Sequence, residues 1–79
     1  MAIKWQGLGS VWQQTSEGAK AHEYYYTYRV AGSYWVAGRK WLGEEVSYRI
    51  RFETAKDARD YCEMKDEEAW NNRIEAVEA

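Results

Sequence analysis

The stretch that decides the fold is residues 46–62, which read VSYRIRFETAKDARDYC. Up to Phe52 its apolar residues alternate with polar ones, and this period of two is typical of a β-strand. Beyond that point the apolar residues recur three or four positions apart, at Ala55, Ala58 and Cys62, which is the spacing of one helix face. The sequence therefore predicts a sheet followed by a helix that packs on it.

Alternation of the same kind extends upstream of this stretch. The strongest predicted strand covers residues 21–30, and its even-numbered positions are expected to face the helix. Its odd-numbered positions, including Tyr25 and Thr27, are expected to face solvent or a partner. Shorter strands are predicted near residues 3–6, 11–14 and 34–37, and a last one at 46–52. We expect an α+β domain, with an antiparallel sheet of about four strands in residues 1–53 and a C-terminal helical region at 54–78.

The start of the helix carries a capping signal. Thr54 is followed three residues later by Asp57, so the threonine hydroxyl can accept a hydrogen bond from the first turn, where the aspartate also suits the helix dipole. A polar run at residues 65–68 has two interpretations. It is either a solvated turn of one long helix or a kink between two helices, in which case Asp66 caps the second.

Length and charge describe a small domain with an uneven charge distribution. The 79 residues are enough for a single domain, and they include 5 Trp and 7 Tyr. The formal net charge is -2. Residues 1–53 carry 7 Lys and Arg against 5 acidic residues, whereas residues 54–79 carry 4 against 8. The sheet region is therefore slightly basic and the helical region acidic.

No motif for catalysis, metal binding or a cofactor is apparent in the sequence, so we expect a protein that is not an enzyme. The single cysteine, Cys62, lies on the predicted apolar stripe of the helix and is expected to be a buried core residue. We expect no signal peptide and no membrane-spanning segment, and hence a cytoplasmic protein in a bacterial host, as a monomer or a homodimer.

The helix offers one candidate partner-binding surface. Carboxylates at helical spacing can bind a basic surface or imitate a nucleic-acid backbone, and two aromatic residues are candidate anchors beside them. The predicted partner-binding residues are Asp57, Asp60, Glu63, Asp66, Glu67, Glu68, Trp41 and Tyr25. The alternative interpretation is a solubilising helix face, in which Lys56 pairs with Asp60.

The sheet offers a second candidate surface, which is basic. Arginine and lysine side chains on one sheet face could bind phosphates, or they could simply pair with neighbouring carboxylates. The residues predicted for this alternative nucleic-acid-binding surface are Arg29, Arg39, Lys40, Arg49 and Arg51.

Part of the chain resembles a known family of DNA-binding domains. Pieces at residues 28–30 (YRV), 34–37 (YWVA), 41–43 (WLG) and 52–55 (FETA) resemble the sheet-plus-helix domains of plant ethylene-response factors and of the arm-binding domains of tyrosine integrases. The resemblance covers less than half of the chain. It implies a DNA-binding accessory domain that uses its sheet.

The chain as a whole resembles a class rather than a family. A small, acidic, aromatic-rich domain with no catalytic motif is similar to accessory proteins of bacteriophages and mobile elements, among them anti-CRISPR proteins. This resemblance implies an inhibitor that binds a host nucleic-acid-handling complex, such as a CRISPR effector complex, and blocks its nucleic-acid binding or nuclease recruitment. Direct binding to DNA is the second expectation, and a structural phage or plasmid protein is the third.

Overall fold

The chain forms a meander of five strands followed by one helix. The structure, a computed structural model, describes the backbone of residues 3–78 and the side chains of residues 3–72. The elements are β1 (Lys4–Gln6), β2 (Trp12–Glu17), β3 (Tyr24–Val30), β4 (Tyr34–Trp41), β5 (Glu44–Ser47) and α1 (Ala55–Glu78). Every strand pairs antiparallel with its neighbour in the chain, in the spatial order β1-β2-β3-β4-β5. The predicted α+β class is confirmed, with five strands rather than about four.

A tight turn joins β4 to β5. The pair Trp41 and Glu44 closes a two-residue loop in which Leu42 has φ 51° and Gly43 has φ 82°. Positive φ at both central residues defines a type I′ turn, whose twist matches that of the strands it connects. The loop ends β4 at Trp41, and the side chain of Leu42 is left exposed.

The helix packs on the odd-numbered side of β3, so the predicted facing of this strand was wrong. Tyr25 and Thr27 are fully buried on the helix side, where the neighbouring strand contributes Ala37 opposite Thr27. These small cross-strand partners let Ala58 and Cys62 of α1 pack close to the sheet. The alternating pattern could not decide the facing, because residues 24–26 are all tyrosine and so both parities were aromatic.

The predicted last strand, 46–52, is interrupted. β5 ends at Ser47, which pairs with Gly38, and the next N–H, of Tyr48, still donates to the carbonyl of Ala37. After a gap, Phe52 forms an isolated bridge with Trp35. The five steps from Ser47 to Phe52 therefore lie opposite only three steps of β4, from Gly38 to Trp35. The two extra residues form a bulge in which Arg49 has φ 59°. Because two residues are added, the alternation is preserved across the bulge, and Tyr48 and Phe52 both pack against the core. Arg51 contacts Tyr34 on the side of the sheet opposite Tyr25, since it is the facing of β3 that differs from the prediction.

The core lies between α1 and the centre of the sheet. Tyr25, Ala37, Ala58 and Cys62 are its fully buried apolar members. Around them pack the partly buried side chains of Trp5, Ala19, Trp35, Tyr48 and Phe52. Large rings from the sheet thus surround small residues from the helix, which lets a short chain fill a core with few side chains.

The helix begins as predicted and continues without a break. Thr54 Oγ1 accepts a hydrogen bond from the backbone N–H of Asp57 at 3.1 Å, which confirms the capping role of the threonine. Of the two interpretations of residues 65–68, the structure shows the single long helix, since α1 runs from Ala55 to Glu78. Asp66 does not cap a second helix but points into the sheet, where it is buried.

Cys62 supplies a test of this packing. Its thiol is fully buried, and burial raises its pKa to about 12. Since the thiolate is the reactive form, we expect a thiol reagent at neutral pH to modify Cys62 only at the rate of unfolding. A variant that moves the only cysteine to the exposed β5 position, by Cys62→Ala with Ser47→Cys, is the control and should react at once. Rapid modification of the parent under native conditions would contradict the packing.

Candidate interaction surfaces

α1 covers one side of the sheet, and we call the opposite side the open face. Its centre is formed by Trp12 on β2 and by Tyr26 and Tyr28 on β3, where Trp12 pairs with Tyr28. The three rings are nearly parallel. Trp12 lies 5.2 Å from Tyr26 with an interplanar angle of 4°, and 5.6 Å from Tyr28 with an angle of 15°. The two tyrosine rings lie 6.1 Å apart. Such offset stacks fix the rings relative to one another.

Gly38 determines how this stack sits on the sheet. A Cβ atom at Gly38 would overlap the hydroxyl oxygen of Tyr26, so the tyrosine ring occupies the space that a side chain on β4 would fill. Tyr26 is therefore buried, and burial raises the pKa of its hydroxyl. Trp12 and Tyr28 remain 43% and 36% exposed. The open face thus presents two anchored aromatic side chains to solvent.

Two cation–aromatic pairs flank the stack on the same face. Lys40 Nζ lies 5.5 Å from the ring centroid of Tyr24, and Arg51 Cζ lies 4.6 Å from that of Tyr34. The Tyr24 hydroxyl also donates to Glu45 at 2.7 Å, and this hydrogen bond to a carboxylate raises the pKa of Tyr24 to about 12. The open face therefore combines aromatic rings with both charge signs, a composition that is common in protein interfaces.

The basic residues predicted as one sheet surface do not form one. Lys40 and Arg51 lie on the open face, whereas Arg39 lies on the helix side, where its guanidinium is 5.6 Å from the Tyr48 ring centroid. Arg29 donates to the backbone carbonyl of Gly32 within its own hairpin, and Arg49 lies in the bulge after β5. Arg39 and Lys40 are consecutive residues of β4, so their side chains point to opposite sides of the sheet.

The acidic side chains of α1 also divide. Asp60 pairs with Lys56 at 2.8 Å, and Glu68 lies 3.7 Å from Lys65. Asp57 and Glu67 are exposed, and the described side chains include no ion-pair partner for either. Glu63 is partly buried, and burial followed by the charge of Asp60 raises its pKa. The outer side of the helix is thus acidic, partly neutralised by its own lysines.

Two of the predicted partner-binding residues, Asp66 and Tyr25, are buried inside the protein and do not lie on the surface where the prediction had placed them. Asp66 Oδ1 accepts hydrogen bonds from the backbone N–H groups of Lys20 at 3.0 Å and Ala21 at 2.8 Å, and from the Tyr25 hydroxyl at 2.9 Å. Burial and the bond to Asp66 raise the pKa of Tyr25 above its usual range. The physical reason is that a buried carboxylate needs donors, and the loop before β3 supplies them.

The third aromatic candidate, Trp41, is 40% exposed at the end of β4. Its ring meets that of His22 edge-on at 6.0 Å, and His22 meets Tyr25 in the same way at 5.5 Å. Trp41 therefore lies on the helix side of the sheet and does not belong to the open face. Trp12 and Tyr28 were not among the predicted binding residues, because Tyr28 had been expected to face the helix and Trp12 is a single aromatic residue in a polar strand.

Two further properties complete the description of the surface. Among the side chains of residues 3–72, no three His, Cys, Asp or Glu residues lie close enough together to hold a metal ion. In the part of the chain that the structure describes, no helix is long and apolar enough to cross a membrane.

The link between Asp66 and Tyr25 can be measured. We expect Tyr25→Phe to lower the free energy of unfolding by about 1–2 kcal/mol, because one hydrogen bond to a charged group is lost. Asp66→Ala should cost about 3 kcal/mol or more, since it leaves several buried donors without an acceptor. Urea denaturation of both single variants and the double variant measures the coupling between the two positions, expected at about 1–2 kcal/mol. Exposed Glu67→Ala on the next helix position is the control, and purely additive effects at Tyr25 and Asp66 would contradict the link.

Comparison of the chain with protein-family models, with curated proteins and with solved structures found no match.

Proposed function

We propose that the protein is a non-enzymatic binding protein that contacts its partner through the open face. The observation that carries this proposal is the exposed pair Trp12 and Tyr28, held by stacking on the buried Tyr26. Rings fixed in advance lose little conformational freedom on binding, and Trp, Tyr and Arg dominate the binding energy of protein interfaces. The open face offers all three residue types beside one another.

The partner that we propose is a protein complex of the host that handles nucleic acid, which this protein inhibits in the manner of anti-CRISPR proteins. The charge distribution supports this choice. The open face carries Lys40 and Arg51, whereas the outer side of α1 carries Asp57, Asp60 and Glu67. A molecule docked through the open face directs its acidic helix outward, where a negative field disfavours the approach of a phosphate backbone.

Two tryptophans of nearly equal exposure allow a matched test of the contact surface. Trp12 lies on the open face and Trp41 on the helix side, and they are 43% and 40% exposed. The partner is first isolated from a host lysate with the tagged parent protein and identified, and the affinities of variants are then measured with the purified complex. We expect Trp12→Ala to weaken binding about 30-fold or more, as for a central interface tryptophan, and Trp41→Ala to change it less than about threefold.

Both variants must first be shown to be folded by their unfolding profiles. Sedimentation of the parent protein alone then shows whether its open face pairs with a second copy. Loss of binding in Trp41→Ala with retention in Trp12→Ala would move the contact to the helix side. A concentration-dependent dimer that Trp12→Ala dissociates, without any other partner, would contradict the proposal of a host complex.

Charge reversal on the helix tests the second half of the proposal. We expect Asp60→Lys with Glu67→Lys to leave the affinity for the isolated complex within about threefold, because these carboxylates do not lie at the docked surface. The same variant should inhibit nucleic-acid binding by the complex less well, because it removes the outward negative field. The matched control is Glu44→Lys with Glu53→Lys, which changes the net charge equally at exposed positions off the helix.

If the helix variant instead bound the complex much more weakly than the parent, and if added salt reduced this difference in affinity, the contact would lie on α1. If the parent and the helix variant at saturating concentration inhibited nucleic-acid binding equally, the acidic field of α1 would have no role in inhibition.

A further inference from the structure

A pocket of about 400 Å³ opens between α1 and the end of the sheet formed by β4 and β5. It lies on the helix side, so it is separate from the open face. Arg39 and Tyr48 line it from the sheet, His22 lines it from the segment before β3, and Tyr61, Lys65 and Glu68 line it from the helix. Its volume falls within the range of about 300–1,000 Å³ that is usual for small-molecule sites.

The walls of the pocket hold two cations on a pair of tyrosines. Tyr48 and Tyr61 meet edge to face at 5.2 Å. Arg39 Cζ lies 5.6 Å from the centroid of Tyr48, and Lys65 Nζ lies 5.5 Å from that of Tyr61. The tyrosine pair therefore positions a guanidinium and an ammonium group around the same cavity, one from each layer of the fold.

The positive charge of Arg39 is not balanced by the side chains that the structure describes. Arg39 is partly buried, and it forms no ion pair among residues 3–72. Among the described side chains, the carboxylate nearest to Lys65 that forms an ion pair with it is that of Glu68, at 3.7 Å, and Glu68 also lines the pocket. Burial raises the pKa of Tyr48 to about 12, and its neutral hydroxyl adds a hydrogen-bond donor to the wall of the pocket.

We propose that this pocket binds the oxyanion group, phosphate or carboxylate, of a small molecule. A guanidinium fork pairs with such a group through two parallel hydrogen bonds, and the lysine opposite adds a second charge-assisted contact. A partly buried cation that lacks a carboxylate partner gains most from a ligand of this kind. The proposal is independent of the open face and of the partner that docks there.

The test is a titration of the ¹⁵N-labelled protein, followed by amide chemical shifts. The probes are sodium phosphate, sodium acetate and, at matched ionic strength and pH, sodium chloride. We expect phosphate or acetate to give saturable shifts that cluster around Arg39, Tyr48 and Lys65, and chloride to give none of this pattern. The comparison of phosphate with acetate identifies which oxyanion the pocket prefers.

Variants that are expected to change the affinity for the oxyanion in opposite directions make the result specific to the pocket. Arg39→Gln and Arg39→Lys should each weaken binding, the first by about tenfold or more because a charge-assisted pair is lost. Glu68→Gln should strengthen binding about threefold, since it removes a competing negative charge from the rim. Lys56→Gln, on the same helix but outside the pocket, and Trp12→Ala, on the open face, should leave binding unchanged.

Shifts that are the same in chloride, or an affinity that Arg39→Gln and Arg39→Lys both leave unaltered, would overturn the proposal. So would an affinity that falls equally in Lys56→Gln, because the binding would then reflect the general charge of the helix.

Discussion

The fold depends on the buried carboxylate of Asp66. Its oxygens join the helix, the loop at residues 20–21 and strand β3 through hydrogen bonds to a single group. A carboxylate buried without donors would cost several kcal/mol, so the position of α1 is restricted to the register in which Asp66 meets Tyr25 and the loop amides. The apolar contact between Ala58, Cys62 and the sheet is less directional and allows closely related placements.

That register decides which face of the sheet is covered. With Tyr25 directed toward Asp66, its neighbours Tyr24 and Tyr26 must lie on the other side, because side chains alternate along a strand. The helix side then carries Tyr25 and the small residues Thr27 and Ala37 at its centre, and the opposite side collects Trp12, Tyr26 and Tyr28. The aromatic open face is thus a consequence of how the helix is fixed.

The same arrangement separates the charges and creates the pocket. Tyr48 follows Ser47 in register opposite Ala37, which directs its ring to the helix side and toward Tyr61. The parity of β4 places Arg39 beside it, whereas Lys40 lies on the open face. Two adjacent basic residues therefore serve different surfaces. The proposed docking surface and the proposed oxyanion pocket lie on opposite sides of the sheet and can therefore be changed independently.

The sequence by itself determined the local structure. The change of period at Phe52 fixed the order of sheet and helix, Thr54 fixed the helix start, and the helical spacing of Ala58 and Cys62 fixed the buried stripe, because each depends on residues close together in the chain. Only the tertiary structure decided the facing of β3, the role of Asp66 and the division of the cations. Adjacent tyrosines do not show which side of a strand faces the core. A carboxylate on a helix is an exposed charge or a buried acceptor according to the donors that a distant segment brings to it, and for Asp66 one of these donors is Ala21, 45 residues away.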